Sequence, residues 1–390
     1  MKIITTKLSK RLKVSNDTFR EVQKYDSDNV YPQNVLMIVS GSGSASSVAD
    51  IHFRFVKGRG FTQNGDKIVN KQGLTLNELL RFNVKDFSKL NGFAIHLNYN
   101  ANFKIASAHF VPFEHCRLGL PDDYGYVSKI AVYNNWDKSI KKGIFKNDID
   151  YIDIFNPDPK IIEQQVRNAG SFRKYKGQIF YYSFDGDLTY PMSPFDPVLE
   201  DVETDSRIKT FKYKSIVTSF SASHMFVHKG TFASQTERDD FMTELNNFQG
   251  DENAGNVFLV EVDGDEDVPE IKDFKVINND KLFEYTEKSI QDNIRKSRYV
   301  PPVLLGDLVT GRLGTAEEIL DANILYNAFT EDDREIFETT FSKIFKNFST
   351  PIKSNLKIER LTIMSEESLA TRKTIPQVDK KDDTSSNNGG

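Results

Sequence analysis

Between Tyr285 and Ser297, Ile290 and Ile294 stand four apart among good helix formers, which puts both on one face of a helix. Pro301 and Pro302 end it. Pro302 has no amide donor and restricts the residue before it, so an extended segment ending at Gly306 is expected. After a glycine-punctuated loop, Thr315-Ala316-Glu317-Glu318 has the form of a capping box with Thr315 at the N-cap. Ile319, Tyr326, Phe329, Phe337, Phe341, Ile344 and Phe348 then recur at helical spacings, with no Gly or Pro before Pro351. The apolar face lapses at Thr330-Glu331-Asp332-Asp333, so this long helix should be bent or stepped there.

Earlier in the chain the period changes. Residues 1–30 are polar and mixed in charge, an arm. Tyr31 to Val39 opens a helix with Pro32 in its first turn. Ser40-Gly41-Ser42-Gly43-Ser44-Ala45-Ser46-Ser47 follows; no Lys-Ser/Thr or dinucleotide pattern accompanies its glycines, so it is read as a close helix contact or a joint, not a phosphate loop. Ile51 to Phe61 alternates apolar and polar up to two glycines, the end of an element feeding a turn. Leu76, Leu79, Leu80 and Val84 stripe a helix over 74–90. From Gly92 to Trp136 short strands take over, at 93–99, 105–111 and 126–133, separated by turn residues such as Asn100, Asn102, Pro121 and Gly125: an antiparallel β unit. A strand at 151–157, a helix at 160–168 and a strand at 177–184 continue the series.

Ser193 and Pro194 are placed as N-cap and first residue of a helix that can run to about Phe226. Val198, Val202, Ile208, Phe211 and Ile216 form its thin apolar face, diluted by charge on all other sides, so it either stands in solvent or packs among copies of itself around a wet channel. Residues 227–276 hold a helix opening at Ser234-Gln235-Thr236-Glu237 and a strand at Val257 to Val262. Residues 352–361 add a final strand, and from about Ser365 the composition is too polar to order itself alone.

Composition narrows the class. With 38% hydrophobic and 27% charged residues and no apolar run near the ~18 residues that span a bilayer, the chain reads as an intracellular soluble product. Cys116 is the only cysteine, which excludes an internal disulfide and a cysteine-based zinc site. A net charge of -5 argues against a dedicated high-affinity DNA binder but not against a DNA conduit. The 30 Phe and 15 Tyr supply aromatic surface suited to subunit interfaces.

Candidate chemistry is sparse. His109, His115 and Cys116 do not have ligand spacing, and strand histidines satisfied by hydrogen bonds are the simpler reading. His224 and His228, four apart, would share a helical face and could hold a metal ion. Asp263-Gly264-Asp265-Glu266-Asp267 invites a cation, yet Pro269 interrupts an EF-hand loop and an acidic hairpin turn fits better. There is no Gly-x-Ser-x-Gly, Walker lysine or His-Glu-x-x-His, and no cofactor is expected.

The run Tyr299-Val300-Pro301-Pro302-Val303-Leu304-Leu305-Gly306, followed by Glu317-Glu318 and a long aromatic-rich helix, resembles the portal proteins of tailed bacteriophages with HK97-like heads. Gly-x-Gly-Phe at 58–61, Gly-Phe-Ala-Ile-His-Leu at 92–97, Tyr-Pro-x-Ser-Pro at 190–194 and Asn-Ala-Gly at 253–255 are similar to the same family. The resemblance implies an α+β subunit with a β-rich wing, helical stem, α/β clip insertion and long wing helix, assembling into a ring, typically a dodecamer. Its parts would be an arm at 1–30, the first part of the wing at 31–190, stem helices at 191–226 and 277–298 around a clip at 227–276, a tunnel loop at 299–314, the long wing helix and final strand at 315–364, and a short crown or tail at 365–390.

The implied function is non-enzymatic: a DNA channel at one capsid vertex of the virion, assembled in the host cytoplasm. Terminase, through its large subunit, would package double-stranded DNA through it. The major capsid protein and the head-tail adaptor would be its other partners, with no membrane. Tyr299, Val300, Pro301, Pro302, Leu305, Gly306, Gly311, Arg312 and Gly314 would form the tunnel loop, with Arg312 either a phosphate-facing cation or an exposed bystander. Lys209, Lys212 and Lys214 would be channel-facing rings or solvated charges. Asp251, Glu252, Asn253, Asp263 and Asp265 would offer the clip to partners. The other readings are a different head-tail adaptor or connector ring protein, and a metal-dependent nucleic-acid-processing enzyme using Asp263, Asp265 and Asp267.

Overall fold

The computed structural model describes residues 12–136, 146–217, 225–229, 232, 234–249, 258–262, 280–306, 316–352 and 355–363. A hairpin of β1 (Ser15–Asp17) and β2 (Val22–Lys24) precedes two helices, α1 (Tyr31–Gly41) and α2 (Gly43–Lys57). Pro32 lies in the first turn of α1, where its missing N–H costs nothing. The Ser/Gly run is the corner between the helices: Ser42 is extended and its Oγ accepts from Ala45 N at 3.1 Å. The alternation at Ile51–Phe61 belongs to the end of α2, whose buried His52, Phe55 and Val56 recur at helical spacing. A two-residue strand, β3 (Gly60–Phe61), follows.

Helix α3 (Leu76–Leu90) starts from a full capping box between Thr75 and Glu78, a Thr-x-x-Glu signature readable in the sequence but missed there. Then come β4 (Gly92–Tyr99), β5 (Ile105–Val111), β6 (Cys116–Leu118), β7 (Lys129–Val132), β8 (Asp150–Ile154), α4 (Pro159–Asn168) and β9 (Gln178–Ser183). They make one sheet in the order β5-β4-β9-β8-β7-β6. Every pair is antiparallel except β8–β9, the two strands that α4 connects as a crossover.

The sheet is covered on both faces, and the two-residue period of its strands divides the core. Ala94, Ile179 and Tyr181 face one cluster, built with residues of α1 and α2; Phe93, Ile95, Phe180 and Tyr182 face the other, built with α3.

Helix α5 (Leu199–Val217) corrects two expectations. It starts later than Pro194: Ser193 Oγ accepts from Phe195 N at 3.2 Å while its hydroxyl donates to Lys89 O at 2.7 Å, so Ser193 caps only a local turn, and a 3-10 turn at Asp196–Val198 intervenes before Leu199. It also does not reach Phe226, since Met225–Lys229 is a strand, β10. His228 is therefore on a strand, and the shared helical face with His224, which lies outside the described residues, is lost. Helix α6 (Gln235–Gln249) and β11 (Phe258–Val262) follow, β11 pairing parallel with β10. Helix α7 (Asp280–Lys296) packs against α5 and α2.

The long C-terminal helix is stepped at Thr330 as its sequence suggests, into α8 (Ala316–Phe329) and α9 (Glu331–Phe345). Buried Arg334 closes the step by donating to Asn327 O, a terminal carbonyl of α8, and to Thr330 Oγ1 at 2.8 Å and Phe55 O at 3.1 Å. Phe337, Phe341, Ile344 and Phe345 of α9 complete the second core. The final strand, β12 (Ile358–Glu359), pairs antiparallel with β3. Cap residue Thr315 and the tail from 364 onward lie outside the described residues.

Candidate functional site

The turn after α7 is compact, not extended. Tyr299 takes a left-handed conformation (φ 54°) that reverses the chain, and its ring is 73% exposed, 6.2 Å from that of Phe329. Val300 is buried and donates its N–H to Arg295 O at 3.2 Å. Pro301 is extended; Pro302–Leu305 form a 3-10 turn, because proline at the first helical position already has the required φ. Gly306 closes it at φ 84°, in open space where only its backbone freedom is needed. Leu304 and Leu305 pack against the first core.

Arg298 fixes this turn to the body, a role its place in a basic helix end does not reveal. Its Nη2 donates to Phe87 O (2.8 Å), Ser88 O (3.1 Å) and Asn91 Oδ1 (2.7 Å), and its guanidinium carbon lies 5.7 Å from the centre of the Phe87 ring. Phe87 and Ser88 carry terminal carbonyls of α3, so the guanidinium caps the negative end of that helix. Burial lowers its pKa to about 10, which leaves it charged at neutral pH. Tyr326 of α8 donates its hydroxyl to Arg298 O at 3.1 Å, tying the next helix to the same point.

Beside it lies a Ser-His-Asp array. His52 Nδ1 is 3.0 Å from Ser88 Oγ and Nε2 is 2.9 Å from Asp333 Oδ2. The Ser88 hydroxyl is also 2.8 Å from Val84 O and both residues are buried, so the array joins α2, α3 and α9 and offers a substrate no approach. Burial, then the charge of Arg298, pushes the His52 pKa down to about 4.

Below the turn, α5 and α7 are held by Lys212 Nζ–Glu287 Oε1 at 2.6 Å and Asn293 Nδ2–Asp201 Oδ2 at 3.2 Å. Lys209 binds Asp205 at 2.9 Å. Asp205 accepts from Ser42 Oγ at 2.6 Å and Ser44 Oγ at 3.2 Å, so a carboxylate sits at the N-terminus of α2. Lys209 and Lys212 remain about half exposed while paired. Phe211 and Tyr213 are 58% and 66% exposed, so Phe211 is not on the buried face, which is Val202, Asp205 and Ile208.

No protein-family model and no curated protein sequence matches this chain. Solved structures do. Three chains of gene transfer agent particles share its fold. One, from the virion of the native particle, has a TM-score of 0.52 at 10% identity over 88% of this chain and 86% of that one. A second, from the native neck computed with C12 symmetry, has 0.51 at 11% identity over 88% and 87%. A third, from the neck of the empty particle computed with C6 symmetry, has 0.50 at 11% identity over 87% and 86%.

Of the residues singled out from sequence, Tyr299 to Gly306 form one continuous turn at the end of α7. Gly311, Arg312, Gly314, Asp251, Glu252, Asn253, Asp263, Asp265 and Asp267 lie outside the described residues, as does the side chain of Lys214. His109 Nε2 is 3.1 Å from Ser107 Oγ, a strand histidine with a hydrogen-bond partner, and burial raises the Cys116 thiol pKa to about 12. Among the described residues no cluster of three His, Cys, Asp or Glu could hold a metal ion, and no helix is long and apolar enough to cross a membrane.

Proposed function

We propose that this chain is a portal subunit: twelve copies close into a ring at one vertex of a phage-like head, terminase drives double-stranded DNA through it, and the head-tail adaptor later docks on it. The observation that carries the reading is the fold likeness over 88% of the chain to particle chains that include one from a neck computed with C12 symmetry. The helix–turn–helix passage through Tyr299–Gly306 supports it, because α5 and α7 would be the stem and residues 299–314 the tunnel loop. The exposed aromatics of α5, Phe211 and Tyr213, suit a helix packed among copies of itself. Residues 227–276 would be the clip, where the partners dock.

The native mass of the purified chain tests this. A closed ring of 12 × 44.6 kDa weighs about 535 kDa, and negative-stain images of the same sample should show a central channel near the width of a duplex. A chain that stays monomeric when co-expressed with the scaffold and capsid proteins of its particle overturns the reading. Within the ring, Arg312 is assigned a phosphate-facing role at its Gly-flanked tip. Arg312→Ala should retain less packaged DNA while rings form normally, and unchanged packaging removes that role.

A further inference from the structure

One end of the sheet gathers cations that, among the described residues, have no ion-pair partner. The β4–β5 turn is built on Asn100, whose Oδ1 accepts from Asn102 N (3.0 Å) and Lys104 N (3.1 Å) and which thereby holds Phe103 at φ 57°. Phe103 stacks on Phe172 of the α4–β9 loop with centroids 5.8 Å apart, and Phe172 is 39% exposed. That loop reads Ser171-Phe172-Arg173-Lys174-Tyr175-Lys176, cations interleaved with aromatics, and Tyr175 pins it through its hydroxyl to Gln165 Oε1 at 2.8 Å. The end of α9 joins the same edge: Asn347 Nδ2 donates to Phe103 O at 3.2 Å, and Lys343 lies over the Phe155 ring at 6.0 Å.

Lys104, Arg173, Lys174, Lys343 and Lys346 are exposed there, and among the described residues none of them is in an ion pair. Of the carboxylates nearby, Asp150 holds Lys176 at 2.6 Å, Glu163 holds Arg167 at 2.5 Å, and Asp153 lies opposite Lys129 on the neighbouring strand while also acting on Tyr175. Five cations without an ion pair among the described residues, in a chain of net charge -5, are a local reversal of sign.

We propose that this edge is a nucleic-acid contact, separate from the turn at Tyr299–Gly306, in which Lys104, Arg173, Lys174 and Lys346 meet the phosphate backbone and the Phe103–Phe172 stack faces the sugars and bases. A polyanion is required by the charge, and the exposed flat ring among the cations favours nucleic acid over an acidic peptide, for which cations alone would serve. Duplex and single strand share the phosphates; only a strand with open bases can also use the stack.

The test is fluorescence anisotropy of short labelled DNA, duplex and single-stranded, titrated with the full chain between about 50 and 200 mM salt. The variant Lys104→Gln/Arg173→Gln/Lys174→Gln should bind about tenfold or more weakly at the low-salt end. Its salt dependence should be shallower by about 2 to 3, three phosphate contacts at ~0.9 each. Phe172→Ala weakening only the single strand assigns the stack to bases, and no effect on either form removes the stack from the proposal. An equal loss in Arg81→Gln/Lys85→Gln/Lys71→Gln, which removes the same charge elsewhere, overturns the site, as does competition by polyglutamate as effective as by DNA. Native mass of the same variants reads ring assembly separately, so failure of the portal reading and failure of this contact are distinguishable.

Discussion

Arg117 is fully buried and faces no carboxylate, yet each of its five N–H groups finds an oxygen: Nε at Asn29 Oδ1 (2.7 Å), Nη1 at Glu114 O (2.9 Å) and Cys116 O (2.7 Å), Nη2 at Asn29 O (2.6 Å) and Gln33 Oε1 (3.2 Å). The rings of Trp136 and Tyr25 lie 5.0 and 5.5 Å from its centre. Removing it strands several buried acceptors at once, so Arg117→Met should cost at least about 3 kcal/mol in urea unfolding, and Arg117→Lys should recover little because an ammonium has three donors. His52 gives a pH signature. Its folded pKa of about 4 lies below the ordinary ~6.5, so between those values the unfolded chain binds a proton that the folded chain refuses. Stability should therefore fall as pH drops from about 6.5 to about 4, by about 3 kcal/mol for this one group. Denaturation midpoints of wild type and His52→Gln at both ends of that window check it: only wild type should show this share of the acid loss. Neither residue was legible in the sequence, since each needs partners from distant segments to become anything more than an Arg in a strand or a His in a helix.

At the scale of elements, local pattern carried far. The strands β4, β5 and β9, the stripe of α3 and the step at Thr330 follow from period and charge along the chain. The failures have local causes too. Ser193 looks like the N-cap of a long helix, but its Oγ caps only a local turn at Phe195 N while its hydrogen goes to Lys89 O, and the 3-10 turn that then delays α5 to Leu199 cannot be read from a Ser-Pro pair. Met225–Lys229 looked like the end of a helix because its strand partner, β11, is about thirty residues away in sequence and parallel pairing leaves no local signature. Helix α5 is joined to α2 through Asp205. Burial alone would raise the pKa of that carboxyl, but bonds from Ser42 and Lys209 hold it below its ordinary value. Asp205→Ala should destabilise the α2–α5 contact by about 1–2 kcal/mol, the scale of a lost helix cap. Hydrogen exchange at the first turn of α2 should report the loss, while the cap of α3 at Thr75 stays protected.

Across the whole molecule, the order β5-β4-β9-β8-β7-β6 could not be read from sequence, because strand neighbours are set by which faces the helices must cover. The α+β class and the helix–turn–helix passage at residues 285–329 could. The attachment of that passage carries a mechanical consequence. The chain leaving Gly306 is held on one side by the backbone of α7 and on the other by the fan of hydrogen bonds from Arg298 to the end of α3. A load applied beyond Gly306 therefore divides: part runs down α7, and part is passed by the guanidinium into α3, whose last residue borders β4. Strain entering at the base of the turn thus has a route through α3 to β4 and the six-stranded sheet.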